Sequence, residues 1–245
     1  MAKNRLAFIE RNWAQLGVLF GCEPSGETPD LERLLLATAR RCPDNARLLP
    51  IAVTWLVEYG GFVARHRLKR LVEDELTPDD QAALGLIIEE AVASGATRDL
   101  LIAAEVCRPR ENPAPLSSVQ RDNAALARIA EKHASEASRR WGVWTPPVTL
   151  KRDAIRPVSW LLARNPGYRD RIVRKGDLRV SILETLRRDV PGGTAPSESA
   201  LTRLSGATRT AVRKALTALE LEGEVVVGAE PGNDRDHRVA LRAAA

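Results

Sequence analysis

Residues 203–219 hold a set of side chains suited to contacting a polyanion. At helical spacing, one face of this stretch carries cations and hydroxyls, namely Arg209, Thr210, Arg213, Lys214 and Thr217. The other face is apolar, with Val212, Leu216 and Leu219 flanked by Ala211 and Ala215. Phosphate oxygens attract cations, and base edges accept paired hydrogen bonds from arginine. The pattern therefore predicts an amphipathic helix whose polar face suits the major groove of DNA.

The neighbouring residues predict how this helix is positioned. Ser197 and Thr208 have the hydroxyls that cap helix N-termini, and Gly206 between them suits a tight turn because glycine tolerates positive φ. Gly223 ends the second helix, and a run of valines follows it. The order predicted is a short helix, a turn, a longer helix and a strand.

This order resembles the helix-turn-helix of winged-helix regulators of the GntR and MarR type. Their pattern opens with Gly-apolar-Ser/Thr-Arg-Thr-x-Val and ends with Arg-x-Ala-Leu-x-x-Leu-x-x-x-Gly, which residues 206–223 match. The resemblance covers roughly residues 175–242. It implies two wing strands, at 224–229 and 235–242, joined by a hairpin of turn-forming residues: Pro231, Gly232, Asn233 and Asp234.

The resemblance also implies roles for individual side chains. Arg209, Thr210 and Arg213, on the leading turns of the second helix, are expected to contact base edges. The remaining members of the predicted DNA-binding set are expected at phosphates or at the helix cap: Arg203, Thr208, Lys214, Thr217, Arg235, His237 and Arg238. The alternative is an ordinary amphipathic helical hairpin with a solvated cationic face, but it does not account for the strand pair that follows.

Charge is distributed unevenly along the chain. Residues 1–150 have 19 Lys+Arg against 20 Asp+Glu, whereas residues 151–245 have 18 against 12, a net charge of +6. An excess of cations in the part that carries the helix-turn-helix pattern is consistent with attraction to phosphate.

Enzymatic chemistry has little support in the sequence. The three histidines are dispersed, with His66 in a basic run and His133 lacking an i+4 partner for zinc, and no phosphate-binding glycine loop or nucleophile elbow is present. The adjacent carboxylates Asp79-Asp80 and Glu89-Glu90 point about 100° apart on a helix. We expect no catalysis, no cofactor and no metal.

The three cysteines, Cys22, Cys42 and Cys107, share no short spacing and fit a reducing compartment.

The fold class predicted is mainly α, with an N-terminal helical domain followed by a C-terminal winged helix-turn-helix that carries a small β-hairpin wing. The helical domain is assigned to residues 1–165 and the DNA-binding domain to 170–245. Helices are predicted at 30–41, 46–59 and 62–75, and one long helix from 118 to about 141, with no strand before residue 220. A basic cluster at Arg65, Arg67, Lys69 and Arg70 is interpreted as a solvated face or as a second nucleic-acid contact.

The function predicted is a sequence-specific transcriptional regulator, a homodimeric repressor of double-stranded DNA in a bacterial cytoplasm, without a membrane span or secretion signal. The helical domain is expected to dimerise, sense an effector or bind a protein partner. Two alternatives remain open: an antitoxin-type protein that autoregulates its operon, and a replication or partition initiator of a mobile element.

Overall fold

The computed structural model describes residues 2–230 and 233–242, with side chains at 6–228 and 237–242. This part of the chain is mainly helical. The helices before residue 178 are α1 (Ala2–Gln15), α2 (Leu31–Arg41), α3 (Leu48–Tyr59), α4 (Arg65–Glu75), α5 (Pro78–Ala93), α6 (Leu101–Ala104), α7 (Ser118–Arg121), α8 (Ala124–Lys132), α9 (Glu136–Arg140), α10 (Val158–Arg164) and α11 (Arg169–Val173). The later helices are α12 (Leu178–Arg188), α13 (Glu198–Ser205) and α14 (Arg209–Leu221). The strands are β1 (Ala114–Pro115), β2 (Val143–Trp144), β3 (Thr194–Ala195), β4 (Val225–Glu230) and β5 (Asn233–Leu241).

The N-terminal helices enclose a core to which the apolar helix α3 contributes eight buried residues. Trp13 and Trp55 are fully buried and meet edge to face, with ring centroids 5.7 Å apart. Each indole N–H is satisfied, because Trp13 donates to Thr38 Oγ1 at 2.9 Å and Trp55 donates to the carbonyl of Leu16 at 3.1 Å. Buried aromatic rings with satisfied donors give this core both apolar area and a defined geometry.

The prediction of one long helix from 118 to about 141 is wrong, because the segment forms the three short helices α7, α8 and α9. The side-chain oxygen of Asn123 accepts hydrogen bonds from the amides of Ala125 and Leu126, at 3.0 and 3.1 Å, and so begins α8. Ser135 Oγ accepts from the Ser138 amide at 3.1 Å and begins α9. Asn and Ser offer the backbone local bonds that compete with a continuous helix.

The expectation of no strand before residue 220 is also wrong. Strand β1 pairs in parallel with β2, and β3 pairs with β5. Each of β1, β2 and β3 has two residues, which is too short to display an alternating pattern in the sequence.

Residues from 178 onward build a second, separate cluster of buried apolar side chains. Helices α12, α13 and α14 pack against an antiparallel sheet of strand order β3-β5-β4. Leu183, Leu216 and Val239 are at most 4% exposed within this cluster. Ile172 packs against the N-terminal core, and Leu178 packs against this second cluster. The boundary between the two cores therefore lies between these residues.

A buried ion-pair network joins α12 to the N-terminal helices. Arg67 of α4 is fully buried, and its five N–H groups are all used, on Asp30, Glu32 and Asp189 at 2.7 to 2.9 Å. Asp189, directly after α12, also accepts from Arg33 at 2.8 Å and from Arg70 at 2.6 Å. Neither interpretation of the basic cluster therefore fits Arg67, which is an internal structural group.

A second buried arginine extends the same network. Arg171 of α11 is fully buried, donates to Glu32 at 2.7 Å and lies 2.8 Å from Glu184 of α12. Burial alone would raise the pKa of Glu184, but the charges of Arg171 and Arg188 outweigh it and hold that pKa below its usual value. Helix α12 is thus fixed against the N-terminal core through paired, ionised side chains.

Candidate nucleic-acid interface

Helices α13 and α14 are joined by the turn that the sequence predicts. Ser197 Oγ accepts from the Ala200 amide at 3.0 Å and caps α13, while Thr208 Oγ1 accepts from the Ala211 amide at 3.4 Å and caps α14. Gly206 ends α13 with φ +70°, a conformation in which an L side chain is strained. Both caps and the glycine turn are confirmed.

Gly206 also meets the N-terminal helices directly. A Cβ built at this residue would overlap the carbonyl oxygen of His66 and lie 3.1 Å from the Cβ of Arg70, both on α4. The turn between α13 and α14 therefore rests on α4, which positions the two helices relative to the N-terminal core.

The two faces of α14 separate as its sequence pattern predicts. Val212, Ala215, Leu216 and Leu219 are buried. Ala211, expected in the same stripe, is half-buried. The opposite face is exposed and comprises the predicted contact residues Thr208, Arg209, Thr210, Arg213, Lys214 and Thr217.

Within that exposed face the side chains have different local partners. Thr217 Oγ1 donates to the carbonyl of Arg213 one turn earlier, at 3.1 Å. Lys214, and Arg203 on the exposed side of α13, have no acidic partner among the side chains that the structure describes. These two cations are therefore the ones most available to an external anion.

Arg209 and Arg213 share one carboxylate, that of Glu198. Arg213 donates from Nε and Nη2 to the two oxygens of Glu198, at 3.2 and 3.3 Å, and Arg209 Nε lies 3.7 Å from Oε1. The glutamate side chain is 8% exposed, whereas the arginines are 55% and 63% exposed. The carboxylate is held inside while the guanidinium groups extend from it to the surface.

Strand β5 separates the cations expected in the wing. His237 lies on the same face of the strand as the buried Val239, and its ring Nδ1 is buried without a hydrogen-bond partner in the described part of the chain. Arg238 lies on the opposite, exposed face, opposite Gly228 of β4. The side chain of Arg235, together with Pro231 and Gly232, is outside the described residues. Successive strand residues face opposite ways, so His237 and Arg238 do not form one contact surface.

The positive charge is less concentrated around α13 and α14 than the division of the chain at residue 150 implies. Residues 151–177 have eight Lys+Arg against three Asp+Glu, a net +5, whereas residues 178–245 have ten against nine, a net +1. Several of those acids are engaged in ion pairs, however, as with Asp189 and Glu184, and with Glu222 and Glu224, which lie 2.8 and 2.7 Å from Arg174. The local charge of the α13–α14 surface therefore depends on which acids are neutralised.

The described residues give no support to metal binding or to chemistry at the two buried cysteines. No group of three or more His, Cys, Asp or Glu side chains there could hold a metal ion. Burial raises the pKa of the Cys42 and Cys107 thiols to about 12, which disfavours the reactive thiolate. No helix in the described ranges is long and apolar enough to cross a bilayer.

Two sets of interacting residues were not predicted from the sequence. Glu198 precedes Arg209 by eleven positions and Arg213 by fifteen, so no local spacing indicates their pairing. Arg67 and Asp189 are separated by 122 residues. A capping serine followed by an acid identifies Glu198 as a helix N-terminal residue, and this is the only signal that the sequence gives for it.

Comparison with protein-family models, with curated proteins and with solved structures gives no match to this chain. The site is therefore interpreted from its own geometry.

Proposed function

We propose that the region from residue 178 onward is a winged helix-turn-helix domain that binds double-stranded DNA, with α14 as its recognition helix. The observation that carries this proposal is the exposed row of Arg209, Thr210, Arg213 and Lys214 on a capped helix that follows a glycine turn. Such a helix offers bidentate donors to base edges and cations to phosphates.

The sheet adds a second line of support. Strands β4 and β5 form an antiparallel hairpin directly after α14, and β3, between α12 and α13, pairs with β5. In a winged helix such a hairpin lies beside the recognition helix, where it can contact the adjacent backbone. Arg238, exposed on β5, is a candidate for that phosphate contact.

The chain as a whole is proposed to be a sequence-specific transcriptional regulator, a homodimeric repressor, with the helices before residue 178 as its dimerisation or sensing domain. Exposed apolar side chains on α7 and α8 support self-association: Val119, Leu126 and Ile129 are 69%, 36% and 53% exposed. Two copies would present two recognition helices to half-sites about one helical turn apart or a small multiple of it.

The test is selection of bound duplexes from random and genomic DNA by the full-length chain. We expect enrichment of a defined motif and an affinity that falls steeply with salt, because phosphate contacts release counterions. The full chain is used because buried arginines outside residues 178–242 pair with α12 and Asp189. Recovery of no motif, with no duplex binding at low salt, would remove the proposed function.

A further inference from the structure

Glu198 occupies an unusual place for an acid beside a surface proposed to bind DNA. It is the first residue of α13, directly after the capping Ser197, and its side chain is 8% exposed. A carboxylate in the first turn of a helix is stabilised by the unpaired amides and the helix dipole. The acid therefore has a reason to stay in place that does not depend on the arginines.

Arg209 and Arg213 lie one helical turn apart on α14, and both reach this one carboxylate. The Arg213 contact uses Nε and Nη2 on the two oxygens, which is the paired geometry of a strong arginine–carboxylate interaction. The Arg209 contact, at 3.7 Å, is longer and weaker. Both guanidinium groups are consequently directed by a charge on the neighbouring helix rather than left to sample solvent.

We propose that Glu198 is a specificity-determining residue of the DNA-binding surface, acting through Arg209 and Arg213. This inference rests on the proposed function of α14. An arginine that leaves or shares the carboxylate loses part of a charge-assisted hydrogen bond. Contact with a phosphate at an arbitrary sequence turns the guanidinium group away from Glu198 and incurs this loss. A guanine edge can instead accept from the Nη1 and remaining Nη2 N–H groups of Arg213 while Nε stays on the carboxylate. The carboxylate therefore weakens binding to arbitrary DNA more than binding to the preferred sequence. Specificity then comes partly from making the wrong complexes less favourable.

The experiment compares the full-length wild type with Glu198→Gln, which keeps the side chain's size and removes its charge. The matched control is Glu220→Gln, an exposed acid on α14 that makes the same change in net charge without a described contact to either arginine. Binding constants are measured on the selected site and on a random-sequence duplex over a range of salt concentrations. We expect Glu198→Gln to tighten random-duplex binding on the order of tenfold, and to lower the ratio of selected-site to random affinity by a similar factor. Glu220→Gln should tighten both by the same small factor and leave the ratio unchanged.

A second comparison separates this role from a general effect on folding. In a background of Arg209→Ala and Arg213→Ala, adding Glu198→Gln should no longer change the affinity ratio, because the groups that it directs are absent. An equal change of ratio in that background, or equal ratios for Glu198→Gln and Glu220→Gln, would overturn the assignment. Absence of duplex binding by the wild type would instead contradict the proposed DNA-binding function of α14. The experiment therefore distinguishes failure of the Glu198 proposal from failure of the proposed function.

Discussion

Arg67 and Asp189 face each other across the two parts of the chain, with the Nε of the buried guanidinium 2.8 Å from one carboxylate oxygen and Nη2 2.9 Å from the other. Helix α4 supplies the arginine, and the aspartate directly follows α12. Because α12 packs with α13 and α14, this pair links the orientation of the exposed cations to the N-terminal core. A fragment that begins at residue 170 would leave Asp189 without its arginine partners.

Replacing Arg67 with methionine tests this link. The change leaves the carboxylates of Asp30, Glu32 and Asp189 close together with less compensation, and we expect a loss of about 3–5 kcal/mol in the free energy of unfolding. Chemical denaturation of the full chain measures it. The control is Arg41→Met, which removes a partly exposed pair with Asp44 and should cost at most about 1 kcal/mol. Equal losses in the two variants would contradict a structural role for the buried network.

The same network predicts the response to acid. Burial raises the pKa values of Asp30 and Asp189, but the hydrogen bonds and charges of Arg67 outweigh it, so both lie below their ordinary value. A depressed folded-state pKa contributes stability that is present above the unfolded pKa and lost as pH falls through the folded one. We expect stability from these groups to be constant near neutral pH and to decline below about pH 4.

Thermal melts of the wild type and of Asp189→Asn between pH 7 and pH 2.5 measure this dependence. The variant should be less stable at pH 7 and should lose less stability on acidification, because one of the titrating carboxylates is gone. Parallel curves for the two proteins would show that Asp189 does not carry the predicted linkage.

The glycine turn gives a third prediction. Gly206→Ala places a methyl group against the His66 carbonyl and forces a positive φ on an L residue. Gly192→Ala forces a similar φ, +64° against +70°, but its Cβ meets nothing within 4 Å. Backbone strain alone costs about 1–2 kcal/mol, so we expect the Gly206 variant to lose clearly more stability than the Gly192 variant. Similar losses would mean that the turn can move away from α4.

The exposed face of α14 should divide into two kinds of contact. Arg213→Ala should cost about 1–3 kcal/mol on the selected site and relax preference at particular base pairs. Lys214→Ala should weaken all duplexes alike and reduce the slope of log affinity against log salt by about one. Arg108→Ala, an exposed cation in the loop after α6, is the control and should change neither quantity. If Arg213→Ala leaves the sequence preference unchanged, α14 is not the recognition helix.

Self-association is tested at α8. Ile129→Glu puts a charge on an exposed apolar position, and Val173→Glu does the same at a residue 81% exposed elsewhere on the surface. Sedimentation at micromolar concentration should give a dimer for the wild type and for Val173→Glu, and a monomer for Ile129→Glu. A wild type that stays monomeric on its selected DNA site would contradict the homodimer and favour the alternative of an antitoxin-type protein that binds a partner.

Local features of this chain were predictable from its sequence because their causes are local. The caps at Ser197 and Thr208, the turn at Gly206 and the buried stripe of Val212, Leu216 and Leu219 each depend on residues within a few positions. The break of the segment after Ser118 was missed because Asn123 and Ser135 read equally well as tolerated helix residues and as caps.

The long-range ion pairs were not predictable in the same way. Arg67 lies in a run of basic residues that has the composition of a solvated face, and its burial depends on acids brought from Asp30, Glu32 and Asp189 by the fold. The pairing of Glu198 with Arg213 depends likewise on the angle between two helices. Composition identified the cations, but only the tertiary arrangement determines which of them are free.

The contact between Gly206 and α4 has a consequence for exchange of parts between proteins. A helix-turn-helix whose turn is open to solvent can be recombined with a new body at little cost, whereas this one fits a specific helix surface at His66 and Arg70. A chimera that grafts residues 178–242 onto another scaffold would need to carry α4 with it. Residues 178–242 and the N-terminal helices of this protein are therefore expected to be inherited, and engineered, as one unit.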